Sequence, residues 1–234
     1  VNEHEVAKIF EDHDLLSAAV VDKDGILLGR ITIDDVVDVI RDEADDSVLN
    51  MAGLNKEDDI FAPIIQSTKR RTLWLGANLI TAILAAAAIG IFEATIEKIV
   101  TLAILMPIVA SMGGIAGMQS LALVIRSQAT NQIGLSNSKL LILKESAIGV
   151  LNGILWSSVV SIAVYLWFDS VFLGVVIAVA LLVNLIIGAI SGVTLPLILK
   201  KLNIDPAIAG GVILTTITDI VGFISLLGVA TLIM

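Results

Sequence analysis

The stretch Ala207–Met234, AIAGGVILTTITDIVGFISLLGVATLIM, runs for 28 residues with a single charge, Asp219. As a helix rising 1.5 Å per residue it exceeds the ~30 Å of hydrocarbon in a bilayer. So long and apolar a run reads as a transmembrane span. One carboxylate inside it is costly, about 2.5–3.5 kcal/mol at a span centre on insertion scales, so such groups face a bundle interior or a wet cavity.

Four more spans lie upstream: Leu73–Phe92, Ile99–Ile125, Ser146–Phe168 and Val171–Leu199. The last two are separated only by Asp169-Ser170, and Asp169 is the only charge from Ser146 to Leu199. Over the 234 residues the hydrophobic content is 57%, well above that of a soluble domain. The charge is uneven. Residues Val1–Asp59 hold 17 acids against 5 bases, a net of −12, and Ile60–Met234 hold 6 acids against 9 bases, a net of +3. An acidic soluble piece thus precedes a nearly neutral membrane piece. No basic patch exists to exchange counterions with phosphates, which disfavours nucleic acid as a partner. No cysteine is present, excluding disulfides and thiolate metal sites.

Loop charges set an expected topology. Lys69-Arg70-Arg71 precede the first span, Arg126, Lys139 and Lys144 lie between the second and third, and Lys200-Lys201 between the fourth and fifth. The opposite loops carry Lys98 alone among bases. Cationic short loops stay inside, so the N-terminal segment is expected in the cytoplasm and Met234 outside, in the cell membrane. The chain opens on Val1 within what reads as a folded unit, with no signal sequence, and is expected to be a piece of a longer protein.

In the first stretch, Ala18–Val21 and Ile26–Leu28 flank Asp22-Lys-Asp-Gly25 and predict a hairpin. Thr32 and Asp34 offer an N-cap to a helix bearing Val36, Val37, Val39 and Ile40, with Asp42–Asp46 at its exit. Ile60–Arg71 predicts an amphipathic connector.

Asp219 is the leading functional candidate. Thr215, Thr216 and Thr218 bring hydroxyls within a turn, with Thr215 four residues before it on the same face. One carboxylate among neutral oxygens suits a hard cation; the structural alternative is a hydrogen-bonded Asp that packs helices. Pro107 through Ser120, with Gly113, Gly114, Gly117 and Gln119, fits either close helix packing or a locally unwound helix lining a cavity. Gly188, Gly192 and Pro196 suit packing and a kink. The composition does not decide whether Asn152 and Asn184 face inward. Glu145 reads either as an interfacial charge or as a cation-attracting group at a pore mouth. The acids on and after the first long helix read as a solvated face or as a cation-sensing surface. His4 and His13 form no HExxH pair, no GxSxG or phosphate loop occurs, and the spans hold only one aspartate for any acid dyad.

Val20 through Asp35 resembles the closing half of a CBS domain, and the segment from Asp35 to Asp46 is similar to the acidic end of such a domain. With Pro107–Arg126, Lys144-Glu145, Leu195-Pro196 through Asp205-Pro206, and Thr215–Gly222, the whole chain resembles the MgtE family of magnesium transporters and channels. The resemblance implies an all-α polytopic membrane protein of five transmembrane helices (72–234) after a partial α/β CBS-like cytosolic segment (1–54) and a connecting or plug helix (55–71). It further implies a homodimer with a central pore lined by spans two and five, gated by cytosolic Mg²⁺. Asp219 then matches the pore carboxylate, with Thr215, Thr216, Gly114 and Gln119 as pore metal-site residues. Glu145 matches an acid at the cytoplasmic mouth, and Asp35, Asp38, Glu43 and Asp46 fall among regulatory metal sites. Mg²⁺ is the implied cargo and regulator. The sequence departs from the family pattern at Ile115 and Met118, where asparagines are usual, and at Gly210-Gly211, where Asn-Pro is usual. These losses of polar groups weaken the expectation of strict Mg²⁺ selectivity. Two other readings stay open. One is a sodium- or proton-coupled transporter; the other is a nucleotide-sensing membrane protein in which Thr32 and Asp35 contact an adenine nucleotide.

Overall fold

The computed structural model describes residues 2–54, 61–129 and 138–234, and divides into two units, 1–67 and 68–234. The first unit carries helix α1 (Glu3–Asp12), strands β1 (Ser17–Val21) and β2 (Leu27–Thr32), and helix α2 (Ile33–Met51). The expected hairpin forms: β1 and β2 pair antiparallel, with an irregularity at Val20/Val21. Its turn is stabilised by Asp22, whose Oδ1 accepts from the amides of Asp24 (2.9 Å) and Ile26 (2.8 Å). Gly25 follows at φ +80°, a conformation that suits a residue without Cβ. Ala7, Phe10 and Val36 form the small core of this unit.

Helix α2 is longer than the sequence suggests. The acidic run expected at its exit lies on the helix itself, because Arg41–Met51 contains neither glycine nor proline and the first break is Gly53 at φ +72°. Its start is capped by Asp35, whose Oδ2 accepts from the backbone amide of Thr32 (3.0 Å) and from its hydroxyl (3.1 Å).

The amphipathic stretch after Pro63 does not stand apart from the first span. From Ile64 both belong to one helix, α3 (Ile64–Gly90), since no breaker interrupts Lys69-Arg70-Arg71. A short helix, α4 (Glu93–Lys98), occupies what sequence reads as a loop. The other spans are α5 (Thr101–Ala129), α6 (Ser138–Phe168), α7 (Val171–Lys201) and α8 (Pro206–Ile233). Among the described residues five helices are thus long and apolar enough to cross a membrane, and the chain is a multi-pass membrane protein. Helix α6 begins eight residues before the expected start of span three, because Ser138–Glu145 continues the helix without a break. Helix α8 is entered through Asp205, which accepts from the Ala207 amide (2.8 Å), with Pro206 in the first turn.

Helix α7 is central to the bundle. It packs against α5, α6 and α8, and half of its most apolar window is buried, more than in any other span. Helix α5 also packs against α8. Two apolar clusters fill the helix interfaces. The larger gathers Leu102, Leu105, Val109, Ile177, Leu181, Leu226 and Leu227; the smaller gathers Leu121, Leu195 and Leu214. Between them on α5, α7 and α8 runs a layer of small and polar residues: Gly113, Gly117, Asn184, Gly188, Gly192, Thr218 and Gly222. Asp219 follows Thr218 in sequence and is half-buried.

Candidate cation pathway

Helix α5 remains helical through Pro107 and the glycines, so the unwound alternative is not what forms. The glycines serve close approach. A Cβ at Gly188 would meet the Gly113 carbonyl oxygen, and one at Gly192 the Gly117 carbonyl oxygen. The Gly113-xxx-Gly117 face of α5 therefore docks on the Gly188-xxx-Gly192 face of α7, backbone against backbone. Asn184 fills the remaining notch. It is fully buried, donates from Nδ2 to the Val109 carbonyl (2.8 Å), and leaves Oδ1 without a partner.

Asp219 is half-buried on α8, and among the described residues no hydrogen bond or ion pair reaches its carboxylate. Gly211, Thr215 and Asp219 follow one another at four-residue spacing and share one stripe of α8. The Thr215 hydroxyl donates to the carbonyls of Gly211 (3.0 Å) and Val212 (3.1 Å), and Thr216 donates to Val212 (2.6 Å). With its proton committed to the backbone, each hydroxyl oxygen keeps lone pairs for a cation or for the water around one. Thr218 points elsewhere: it is fully buried, shares its proton between the carbonyls of Leu214 (3.2 Å) and Thr215 (3.0 Å), and faces α5 at Gly114.

Helix α5 has two opposed faces. A Cβ at Gly114 would lie 3.8 Å from Thr218 Oγ1; Gly117 abuts Leu214; Met118 lies 3.8 Å from the Cβ position of Gly211; and Leu121 packs on Gly210. That is the α8 face. Ala116, Gln119, Ser120 and Leu123 lie roughly on the opposite side and line a separate cavity with α6 and α7. Within one chain, then, Gly114 faces Thr218 of α8 and Met118 faces Gly211 at the start of the Asp219 stripe, whereas Gln119 joins Glu145 and Asn152. Glu145 lies roughly 10 Å into α6, counting from Ser138. It is buried, with Ser120 Oγ donating to its Oε2 at 2.8 Å.

Of the acids expected to regulate, Asp35 and Asp38 are exposed and Asp46 half-buried on α2; the Glu43 side chain lies outside the described residues. Asp35, Asp38, Asp42 and Asp46 follow at spacings of three and four, so they string along one stripe of the helix rather than gather at a point. Among the described residues no three acids or histidines come together to hold a metal. Thr32 and Asp35, read as candidates for a nucleotide's ribose, are engaged with each other in the helix cap.

A family model described as a divalent cation transporter, MgtE, matches residues 106–229. The magnesium transporter MgtE of Bacillus subtilis (strain 168) is 35% identical over 230 residues, covering 98% of this chain and 51% of that protein. The magnesium transporter MgtE of Enterococcus faecalis is 32% identical over 233 residues, covering 100% and 51%. That of Thermus thermophilus is 30% identical over 235 residues, covering 100% and 52%. The chain spans about half the length of these relatives.

Proposed function

The chain belongs to the MgtE family of divalent cation transporters, and from that membership we propose that it moves a divalent cation, Mg²⁺ foremost, across the bilayer past Asp219. One observation carries the reading. Among the described residues Asp219 is a carboxylate in a span with no protein partner, on a stripe with a threonine whose hydroxyl proton is already committed to the backbone. Ionisable side chains within spans are rare, face a bundle interior or a water-filled cavity, and mark ion pathways. Mg²⁺ prefers oxygen ligands and keeps several of its waters, so one carboxylate and nearby hydroxyls serve it without a complete protein cage. Thr215 and Thr216 act as water-holding oxygens, and Gly114 lies on the face of α5 turned to α8, opposite Thr218.

The Asp219 stripe is half-exposed within a single chain. A second copy facing it completes the pathway, and the functional unit is a homodimer. The acidic N-terminal unit lies in the cytoplasm, a placement supported by the cationic short loops. There Asp35, Asp38, Glu43 and Asp46 bind Mg²⁺ and bias the pathway toward closure when internal Mg²⁺ is high.

Uptake into vesicles reconstituted with the chain, compared for Mg²⁺, Mn²⁺, Co²⁺ and Ca²⁺ under an inward cation gradient alone, tests the proposal. Divalent influx without any sodium or pH gradient is expected. Influx seen only with such a gradient would make Asp219 a coupling carboxylate instead.

A further inference from the structure

On the side of α5 away from α8, a cavity of about 130 Å³ opens between α5, α6 and α7. Its apolar lining includes Ala116, Gly149 and Ala189, and Gly149 packs so close to Ala189 that a Cβ there would overlap it. Its polar lining is Gln119, Ser120, Glu145 and Asn152, in a span region otherwise apolar. Glu145 is the informative member. It is only 6% exposed, no basic side chain pairs with it among the described residues, and its one hydrogen bond comes from Ser120. The Ser120 hydroxyl donates to Glu145 Oε2, and among the described residues no other hydrogen bond reaches this carboxyl. Its acceptor capacity is therefore only partly used, and a cavity beside it leaves room for a further partner.

We propose that this cavity is a second cation site, distinct from the Asp219 stripe, which takes a partly hydrated divalent cation. Glu145 supplies the charge, and the side-chain oxygens of Ser120, Gln119 and Asn152 supply neutral ligands or hold the ion's remaining waters. The cavity has room for several waters, as a cation that dehydrates reluctantly requires. That the occupant is the transported ion rests on the transport reading; that the cavity binds a cation does not.

Mn²⁺ as an anomalous scatterer tests this directly, using crystals of the chain soaked in Mn²⁺ and measured at the manganese edge. An anomalous peak is expected in the cavity in contact with Glu145. It is expected to persist in Asp219→Asn and to vanish in Glu145→Gln, whose amide oxygen still accepts from Ser120 and preserves the helix contact. A cavity without a peak in the unaltered chain, or a peak that survives Glu145→Gln, overturns the proposal. Electron paramagnetic resonance counting of bound Mn²⁺ gives a second measure: Glu145→Gln is expected to bind one ion fewer per chain, and an unchanged count counts against the site. Loss of transport in Asp219→Asn reports on the pathway alone, so the two readings fail separately.

Discussion

The Asn184 side chain of α7 donates to the backbone carbonyl of Val109 on α5 at 2.8 Å, from inside a notch that Gly113 and Gly222 leave open. It ties α7 to α5 by a hydrogen bond and packs closely on α8 at Gly222. Replacing it with alanine removes this bond and opens a void where α5, α7 and α8 meet. Asn184→Ala is expected to destabilise the folded chain by about 1–2 kcal/mol, read as a lowered denaturation midpoint in detergent.

Neighbouring glycines on α5 should differ sharply. A Cβ at Gly113 would overlap the Asn184 amide, whereas one at Gly114 would find Thr218 Oγ1 at an ordinary 3.8 Å. Gly113→Ala is therefore expected to cost about 2 kcal/mol or more through overpacking, and Gly114→Ala much less. Thermal unfolding of the two variants side by side checks the contrast.

Met118 and Gly211 occupy facing positions of α5 and α8, with the Met118 Sδ and Cε 3.8 Å from the Gly211 Cβ position. Gly211 opens the stripe that continues through Thr215 to Asp219. A thioether there is apolar and holds no water around a passing ion. Met118→Asn is expected to raise the rate for Mg²⁺ relative to Mn²⁺ severalfold, measured as competing influx into vesicles. A ratio that does not move would remove Met118 from the selectivity of the pathway.

Asp35 has a structural duty beside any sensing role, because its Oδ2 accepts from both the amide and the hydroxyl of Thr32. Asp35→Asn retains an oxygen for the cap and loses only the charge, whereas Asp35→Ala loses both and is expected to loosen the α2 start by about 1 kcal/mol. Hydrogen exchange at the Thr32 amide should rise in Asp35→Ala and hold in Asp35→Asn.

The five spans were legible because each is a long run with almost no charge, and the hairpin because Asp22–Gly25 carries turn chemistry. Helix ends were less so. Ser138–Glu145 sets Leu140–Leu143 between charged residues and Asp42–Met51 is acidic; neither holds a breaker, and charge alone marks such stretches as loops. The candidate site divides the same way. Asp219 stood out as a lone acid, and Thr215 followed from helical spacing. The separation of Gln119 from that stripe did not, since it depends on which helices flank α5, and a near-uniformly apolar span shows no amphipathic face to tell them apart. For the same reason the burial of Asn184 and the pairing of Ser120 with Glu145 emerged only from the packed bundle. The glycine-rich run from Gly113 to Gly117 allowed packing and unwinding equally; the match of its small faces to Gly188 and Gly192 decided for packing.

Mg²⁺ influx into vesicles carrying the unaltered chain or Asp219→Asn tests the central claim most directly, with size-exclusion profiles matched to show that both are folded. The account predicts influx for the unaltered chain and none above empty vesicles for Asp219→Asn. Equal influx through both would contradict it.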